Sequence, residues 1–176
     1  HTPFVEPLTV LHQWQGICYY KKKITITPEE AKKHIWIEFE GAMHLADVWI
    51  NGKHVMQHAG GYTPFVVDAT GLLKTGKENE LLVRLDNRNN SLIPPGKPLE
   101  TLDFCYYGGI YRNVHLIAKA DVHITHPILD GHPAGAGIFI TYPKVSQELS
   151  VVDAKTEIKN TSDKEKVVEL RHTLYT

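Results

Sequence analysis

Cysteine is scarce in this chain, with Cys18 and Cys105 the only two among 176 residues. That scarcity excludes a fold built on disulfides, since small disulfide scaffolds carry many more. Each thiol sits among apolar and aromatic neighbours, Ile17-Cys18-Tyr19-Tyr20 and Phe104-Cys105-Tyr106-Tyr107. This is the setting of a buried thiol acting as a small hydrophobe, although spacing alone leaves a bridge between the two open. An excess of one charge is also missing: 19 Lys and Arg face 20 Asp and Glu, a net charge of -1. Such balance argues against nucleic-acid or membrane partners. No apolar run approaches the ~18 residues of a membrane span, and no signal-peptide pattern opens the chain. Internal repeats and low-complexity segments are absent too. At 176 residues the chain is too short for a complete β/α barrel, which takes about 250.

What is present is period-two alternation in short stretches bounded by turn residues, the pattern of half-buried strands. In residues 34–40, Ile35, Ile37 and Phe39 share one face while Glu38 and Glu40 share the other. Residues 45–50 run into Asn51-Gly52, a pair that tolerates positive φ and so predicts a tight hairpin with 53–58 returning. Residues 80–86 place Leu81, Val83 and Leu85 inward, with Arg84 and Asp86 outward. Residues 112–118 place Val114, Leu116 and Ala118 on one side. Only 28–33, opened by Pro28, reads as helical. The expected class is all-β, a jelly-roll sandwich over residues 1–120. Residues 121–176 add further strands at 122–125, 137–142, 147–159 and 165–175. That stretch is shorter than the ~100 residues of an immunoglobulin-like sandwich, so it reads as the first strands of one.

Most candidate chemistry dissolves under simple geometry. Glu38 and Glu40 lie about 7 Å apart along a strand, near glycosidase-acid spacing, but an exposed strand face explains them without a cleft. His54 and His58 are four residues apart on an extended segment, about 13 Å, too far for one zinc ion. His123 and His126 point to opposite faces. No metal is therefore expected, and with no Ser-His-Asp order, P-loop or dinucleotide fingerprint in the sequence no cofactor is expected either. Two loops stand out. One is Gly60-Gly61-Tyr62-Thr63-Pro64-Phe65; the other spans 86–109, with Asn87-Arg88-Asn89-Asn90, Pro94-Pro95-Gly96 and Asp103-Phe104 followed by Tyr106-Tyr107-Gly108-Gly109. Long loops on a β-scaffold usually carry function. A carboxylate among aromatics suits a sugar, because rings stack on its C–H faces and Asp accepts its hydroxyls.

Those loops also carry a resemblance. The ordered segments are Glu40-Gly41-Ala42, Ala46-Asp47-Val48-Trp49-Ile50-Asn51-Gly52, Gly60 to Phe65 with Asp68, and Asn79-Glu80-Leu81-Leu82-Val83-Arg84. Asp103-Phe104 and Tyr107-Gly108-Gly109-Ile110-Tyr111-Arg112-Asn113-Val114-His115-Leu116 complete them. Together they resemble the N-terminal jelly-roll domain of glycoside hydrolase family 2, which includes β-galactosidases, β-glucuronidases and β-mannosidases. The stretch from Val122 resembles the opening of that family's immunoglobulin-like domain. The resemblance implies two catalytic glutamates on a third, barrel domain, none of which lies in this sequence. It also implies that Asp103 accepts hydrogen bonds from sugar hydroxyls at the rim of the barrel's pocket. Asn89 and Asn90 are weaker substrate-binding candidates, and Arg112 closes the loop base. The expectation is thus an inactive fragment, cut at both ends, of a retaining exo-β-glycosidase, in the first place a β-galactosidase. The alternatives are a β-glucuronidase fragment or an autonomous carbohydrate-binding module. The expected partners are a β-linked sugar, shared with the barrel domain, and a homo-oligomer or strand exchange through residues 122–176. A soluble protein of the bacterial cytoplasm or periplasm is the expected setting.

Overall fold

The computed structural model describes residues 14–102, 104, 107–131 and 136–175. Asp103 and Cys105 lie outside them. The chain divides into two compact units, His1–Ala118 and Lys119–Thr176.

The first unit is built from β1 (Ile17–Ile24), β2 (His34–Phe39), β3 (Ala42–Met43), β4 (Leu45–Ile50) and β5 (Lys53–Ala59). It continues through β6 (Phe65–Asp68), β7 (Asn79–Asp86), β8 (Gly109–Ile110) and β9 (Val114–Lys119). The strands form a four-stranded sheet in the order β1-β7-β4-β5, a three-stranded sheet β6-β2-β9, and the short pair β3-β8. The ladders of β1 on β7, β4 on β5 and β7, and β2 on β6 are antiparallel, as a sandwich of hairpins and Greek keys requires. Alternate residues of facing strands meet in the core. Ile35, Ile37 and Phe39 of β2 join Ala46, Val48 and Ile50 of β4, and Leu81, Val83 and Leu85 of β7. Phe39 stacks on Phe65 with ring centroids 4.6 Å apart. The expected hairpin forms, with Asn51 at φ 51° and Gly52 at φ 80°, the conformation of a type I′ turn.

Two expectations for the first unit, a buried Cys18 and a helical segment over 28–33, are corrected here. Asp86 does lie on the outward face of β7, but it is only 8% exposed, because Arg84 and Arg88 cover it. Val114 and Leu116 share one face of β9, as expected. At 39% and 40% exposed, they line an apolar cleft of about 580 Å³ together with Tyr20, Ile24, Phe39 and Ile110. Cys18 is a free thiol, half-buried rather than buried; it packs against the core, and desolvation raises its pKa. The segment read as helical contracts to one 3-10 turn, Glu30–Lys32. Thr27 and Glu30 cap it reciprocally: the Glu30 amide donates to Thr27 Oγ1, and the Thr27 amide donates to Glu30 Oε2.

The second unit holds β10 (Val122–Ile124), β11 (Ile138–Lys144), β12 (Val151–Thr156) and β13 (Ile158–Asn160), paired as β10-β13 and β11-β12. The single strand expected over 147–159 is split at Glu157, whose amide donates to the Gly137 carbonyl while its own carbonyl accepts from Thr125 N. Residues 165–175 form no strand. No helix among the described residues is long and apolar enough to cross a membrane.

Burial sets a pH dependence. The rings of His44 and His58 are held below the ordinary imidazole range, chiefly by desolvation. The unfolded chain therefore binds protons first, and stability falls as pH drops from the ordinary value of 6.5 through the lower folded values. Asp86 is held down by the Arg88 side chain above all, so its contribution is present above the ordinary carboxyl value of 3.8 and is lost as pH falls through the folded pKa. Urea midpoints are expected to fall between pH 7 and pH 5.5, and again below pH 4. A midpoint that rises between pH 7 and pH 5.5 would contradict the histidine assignment.

Candidate functional site

The start of β4 and the end of β7 lie side by side, with Leu45 opposite Asp86. The chain leaving β7 turns over this point, so that His44, Leu45, Asp86, Arg88, Asn89 and Asn90 line a polar cleft of about 300 Å³. Its floor is a chain of ion pairs. Asp86 accepts from Arg88 three times, at the backbone amide (3.1 Å), Nε (2.9 Å) and Nη2 (2.6 Å), and once from Arg84 Nη2 (3.3 Å). The other side of Arg84 donates through Nη1 to Asp47 Oδ2 at 3.1 Å. Asp47 Oδ1 is also met by Gln57 Nε2 at 2.8 Å and His54 Nε2 at 3.1 Å. Burial opposes the charge on Asp47, and these donors outweigh it, so its pKa is lowered. The carboxylate lone pairs of Asp86 are thus spent on fixing Arg88. What the cleft offers a ligand is donors: the outer N–H groups of Arg88 and the amide of Asn90, whose Oδ1 is occupied by Leu92 N at 2.9 Å.

Two neighbouring loops are locked to this cleft by close approaches that only glycine permits. The Gly60 amide donates to the His44 carbonyl at 2.9 Å, and the Tyr111 hydroxyl donates to the Gly61 carbonyl at 2.5 Å. A Cβ on Gly61 would lie 2.2 Å from the Met43 sulfur, and one on Gly41 would lie 2.7 Å from the Tyr111 ring. Asn87 stitches the loop to the entry of β1, accepting from Gly16 N at 2.7 Å and donating to the Trp14 carbonyl at 2.9 Å. Gly108 packs on that amide, and a Cβ there would stand 2.3 Å from Asn87 Nδ2. Gly108→Ala is expected to destabilise the fold by about 1–3 kcal/mol, read from urea unfolding, since Asn87 is held by both hydrogen bonds. An unchanged midpoint would show that the loop gives way instead. Tyr62, Phe104, Tyr107 and Tyr111 from these loops remain between 41% and 53% exposed, a supply of rings for sugar C–H faces.

Of the expected ligands, Asn89 and Asn90 both line the cleft, with Asn89 Oδ1 engaged by Gln15 Nε2 at 2.8 Å. Asp103 is not among the described residues. His44, Asp86 and Arg88 were not foreseen; the acidic and basic residues two apart, directly before the asparagines, were the available signal. Glu40 works as a tie between β2 and β9, accepting from Asn113 N at 3.3 Å and facing His115 Nε2 at 3.0 Å. The His115 bond is the main cause that lowers the Glu40 pKa. His54 bonds Asp47 while His58 stacks on Phe65 at 4.5 Å, so the two serve separate contacts. Among the described residues no three His, Cys, Asp or Glu side chains are grouped to hold a metal ion.

Comparison with known proteins places these features in context. The family model described as "Glycosyl hydrolases family 2, sugar binding domain" matches residues 4–120. A β-glucuronidase of Bacteroides fragilis is 36% identical over 150 residues, covering 83% of this chain and 20% of the relative. A β-galactosidase of Thermoanaerobacter pseudethanolicus is 37% identical over 151 residues, covering 84% of this chain and 20% of the relative. The crystal structure of Bacteroides uniformis β-glucuronidase superposes with a TM-score of 0.71 at 33% identity, over 85% of this chain and 17% of that one. The chain thus spans about a fifth of the length of the curated relatives it matches. More of the similar proteins are named β-glucuronidase than β-galactosidase.

Proposed function

Because the chain belongs to glycosyl hydrolase family 2 through that family's sugar binding domain, we propose that it is the non-catalytic sugar-rim segment of a retaining exo-β-glycosidase. In such an enzyme two carboxylates elsewhere carry out double displacement through a glycosyl-enzyme intermediate. The observation that carries this reading is the family match over 4–120, a stretch that contains both glycine-locked loops and the whole polar cleft. β-Glucuronidase, the alternative set beside β-galactosidase on sequence, is the better supported specificity, since that activity names most of the similar proteins. Asp103 accepts hydrogen bonds from sugar hydroxyls, while Arg88, Asn89 and Asn90 donate to sugar oxygens from the side. The substrate is a β-linked sugar held jointly with a barrel domain. Homo-oligomer formation or strand exchange through residues 122–176 is part of the same reading, prompted by the two-stranded sheets that the described residues of the second unit form.

The test uses the natural protein that carries this sequence, assayed with nitrophenyl β-glucuronide and nitrophenyl β-galactoside. The expected result is a kcat/KM at least about tenfold higher for the glucuronide, a preference of roughly 1.4 kcal/mol, with the β-anomer as first product. A preference for the galactoside would return the reading to β-galactosidase. Inversion at the anomeric carbon would remove the double-displacement mechanism.

A further inference from the structure

We propose that Asn51 is a deamidation site that the fold holds shut, and that loss of its side-chain amide irreversibly unlocks the turn between β4 and β5. Asn51-Gly52 is the only Asn-Gly step in the sequence. The reaction is intrinsic to the pair. The Gly52 backbone nitrogen, unhindered by a side chain on its own residue, attacks Asn51 Cγ. A bond forms between them, the Cγ–Nδ2 bond breaks, and the amide nitrogen leaves as ammonia with the proton that Gly52 gives up. Water then opens the succinimide ring at either carbonyl, which yields aspartate or isoaspartate. The step needs water alone.

Sterics do not guard the turn. Both residues are exposed, and no described atom lies within 4 Å of where a Gly52 Cβ would stand. Hydrogen bonds do guard it. Asn51 Nδ2 donates to the Leu72 carbonyl at 3.2 Å and to Asn79 Oδ1 at 2.9 Å, which uses both of its hydrogens. Asn51 Oδ1 accepts from the Glu80 amide at 3.1 Å, and the Asn51 amide donates to the Glu80 carbonyl at 2.9 Å. Turning Cγ toward the Gly52 nitrogen breaks all three side-chain bonds together, so ring closure waits on a local opening.

The product cannot rebuild these bonds. A carboxylate at position 51 has no hydrogen to donate, yet it faces the Leu72 carbonyl and Asn79 Oδ1, both acceptors. Asn79 is not free to turn its amide round. Its Nδ2 donates to the carbonyls of Ile24, Lys74 and Lys77, and its Oδ1 accepts from the Lys74 amide. The Asn79 side chain is fully buried, where an unmatched oxygen is costly. Isoaspartate also adds a backbone carbon to a turn whose length sets the strand register.

The test incubates the natural protein that carries this sequence at about pH 8 and ~37 °C, folded and in guanidinium chloride. Peptide mapping follows Asn51 by its gain of about 1 Da, and enzymatic methylation of isoaspartate follows the rearranged product. The expected result is conversion at Asn51 at least about tenfold slower in the folded protein. Asn51→Asp is expected to speed hydrogen exchange at the Lys74 and Glu80 amides by about tenfold or more, and unsubstituted protein aged until Asn51 has converted shows the same change. A folded rate within about twofold of the denatured rate overturns the lock. Lys74 and Glu80 amides that exchange no faster in the aged protein overturn the unlocking.

Discussion

Asp103→Ala in the intact enzyme is expected to lower kcat/KM for nitrophenyl β-glucuronide by about 100-fold, the effect of one charge-assisted hydrogen bond to the sugar, roughly 2–3 kcal/mol. The loss should fall on kcat/KM for every glycoside with an intact sugar ring, because the proposed contact is with hydroxyls common to them. Asn90→Ala is expected to cost about tenfold or less, since its carbonyl oxygen is already committed to Leu92 N and its amide is the group left to donate. The comparison separates the two roles in one steady-state assay. A change below about threefold in Asp103→Ala would remove that residue from the sugar site and leave the cleft at His44, Asp86 and Arg88 as the whole contribution of this domain.

The second large effect is on stability, at Asn79. Its side chain is fully buried and makes five hydrogen bonds. Nδ2 donates to the carbonyls of Ile24, Lys74 and Lys77, and Oδ1 accepts from Lys74 N at 2.7 Å and from Asn51 Nδ2 at 2.9 Å. Through Asn51, which also accepts from the Glu80 amide, the network reaches the tight hairpin turn between β4 and β5. Asn79→Ala leaves several of these groups buried and unsatisfied, at about 1–3 kcal/mol for each, so a total near 3–4 kcal/mol is expected. That corresponds to a fall in Tm of about 10–15 °C for a unit of this size. A fall of under ~3 °C would mean that water replaces the amide without cost.

Neither Asn79 nor Asp86 advertises its burial in the sequence. Asn before a strand reads as a turn residue, and an Asp at an outward position of an alternating strand reads as solvated. What buries them is assembled from afar: Lys74 and Ile24 around Asn79, and Arg88 curling back over Asp86. The elements that were legible are those whose cause is local. The Asn51-Gly52 turn needs only its own φ values, and the alternation of β2, β4 and β7 needs only one buried face. Val114 and Leu116 alternate on β9 as the sequence reads, and their exposure shows that a shared apolar face does not by itself fix burial. In the second unit the long run 147–159 looked continuous because its break at Glu157 is made by Gly137 and Thr125, distant in sequence. At the site, Asn89 and Asn90 were readable from their place in a long loop, whereas His44 entered from a different strand. The glycine pairs are the reverse case. Their presence was visible in the sequence, but the reason for them, a sulfur, a ring or an amide within 3 Å of the missing Cβ, is visible only in the fold.

The most direct test of the central claim, a sugar-rim domain that holds only part of a pocket, is calorimetric titration of the 176-residue chain with glucuronate. The predicted result is a Kd weaker than about 1 mM, a free energy under roughly 4 kcal/mol, because the proposed rim role gives this chain only one side of a sugar site. A Kd well below millimolar that is abolished by Asp103→Ala would contradict it, and would make the chain a self-sufficient carbohydrate-binding module.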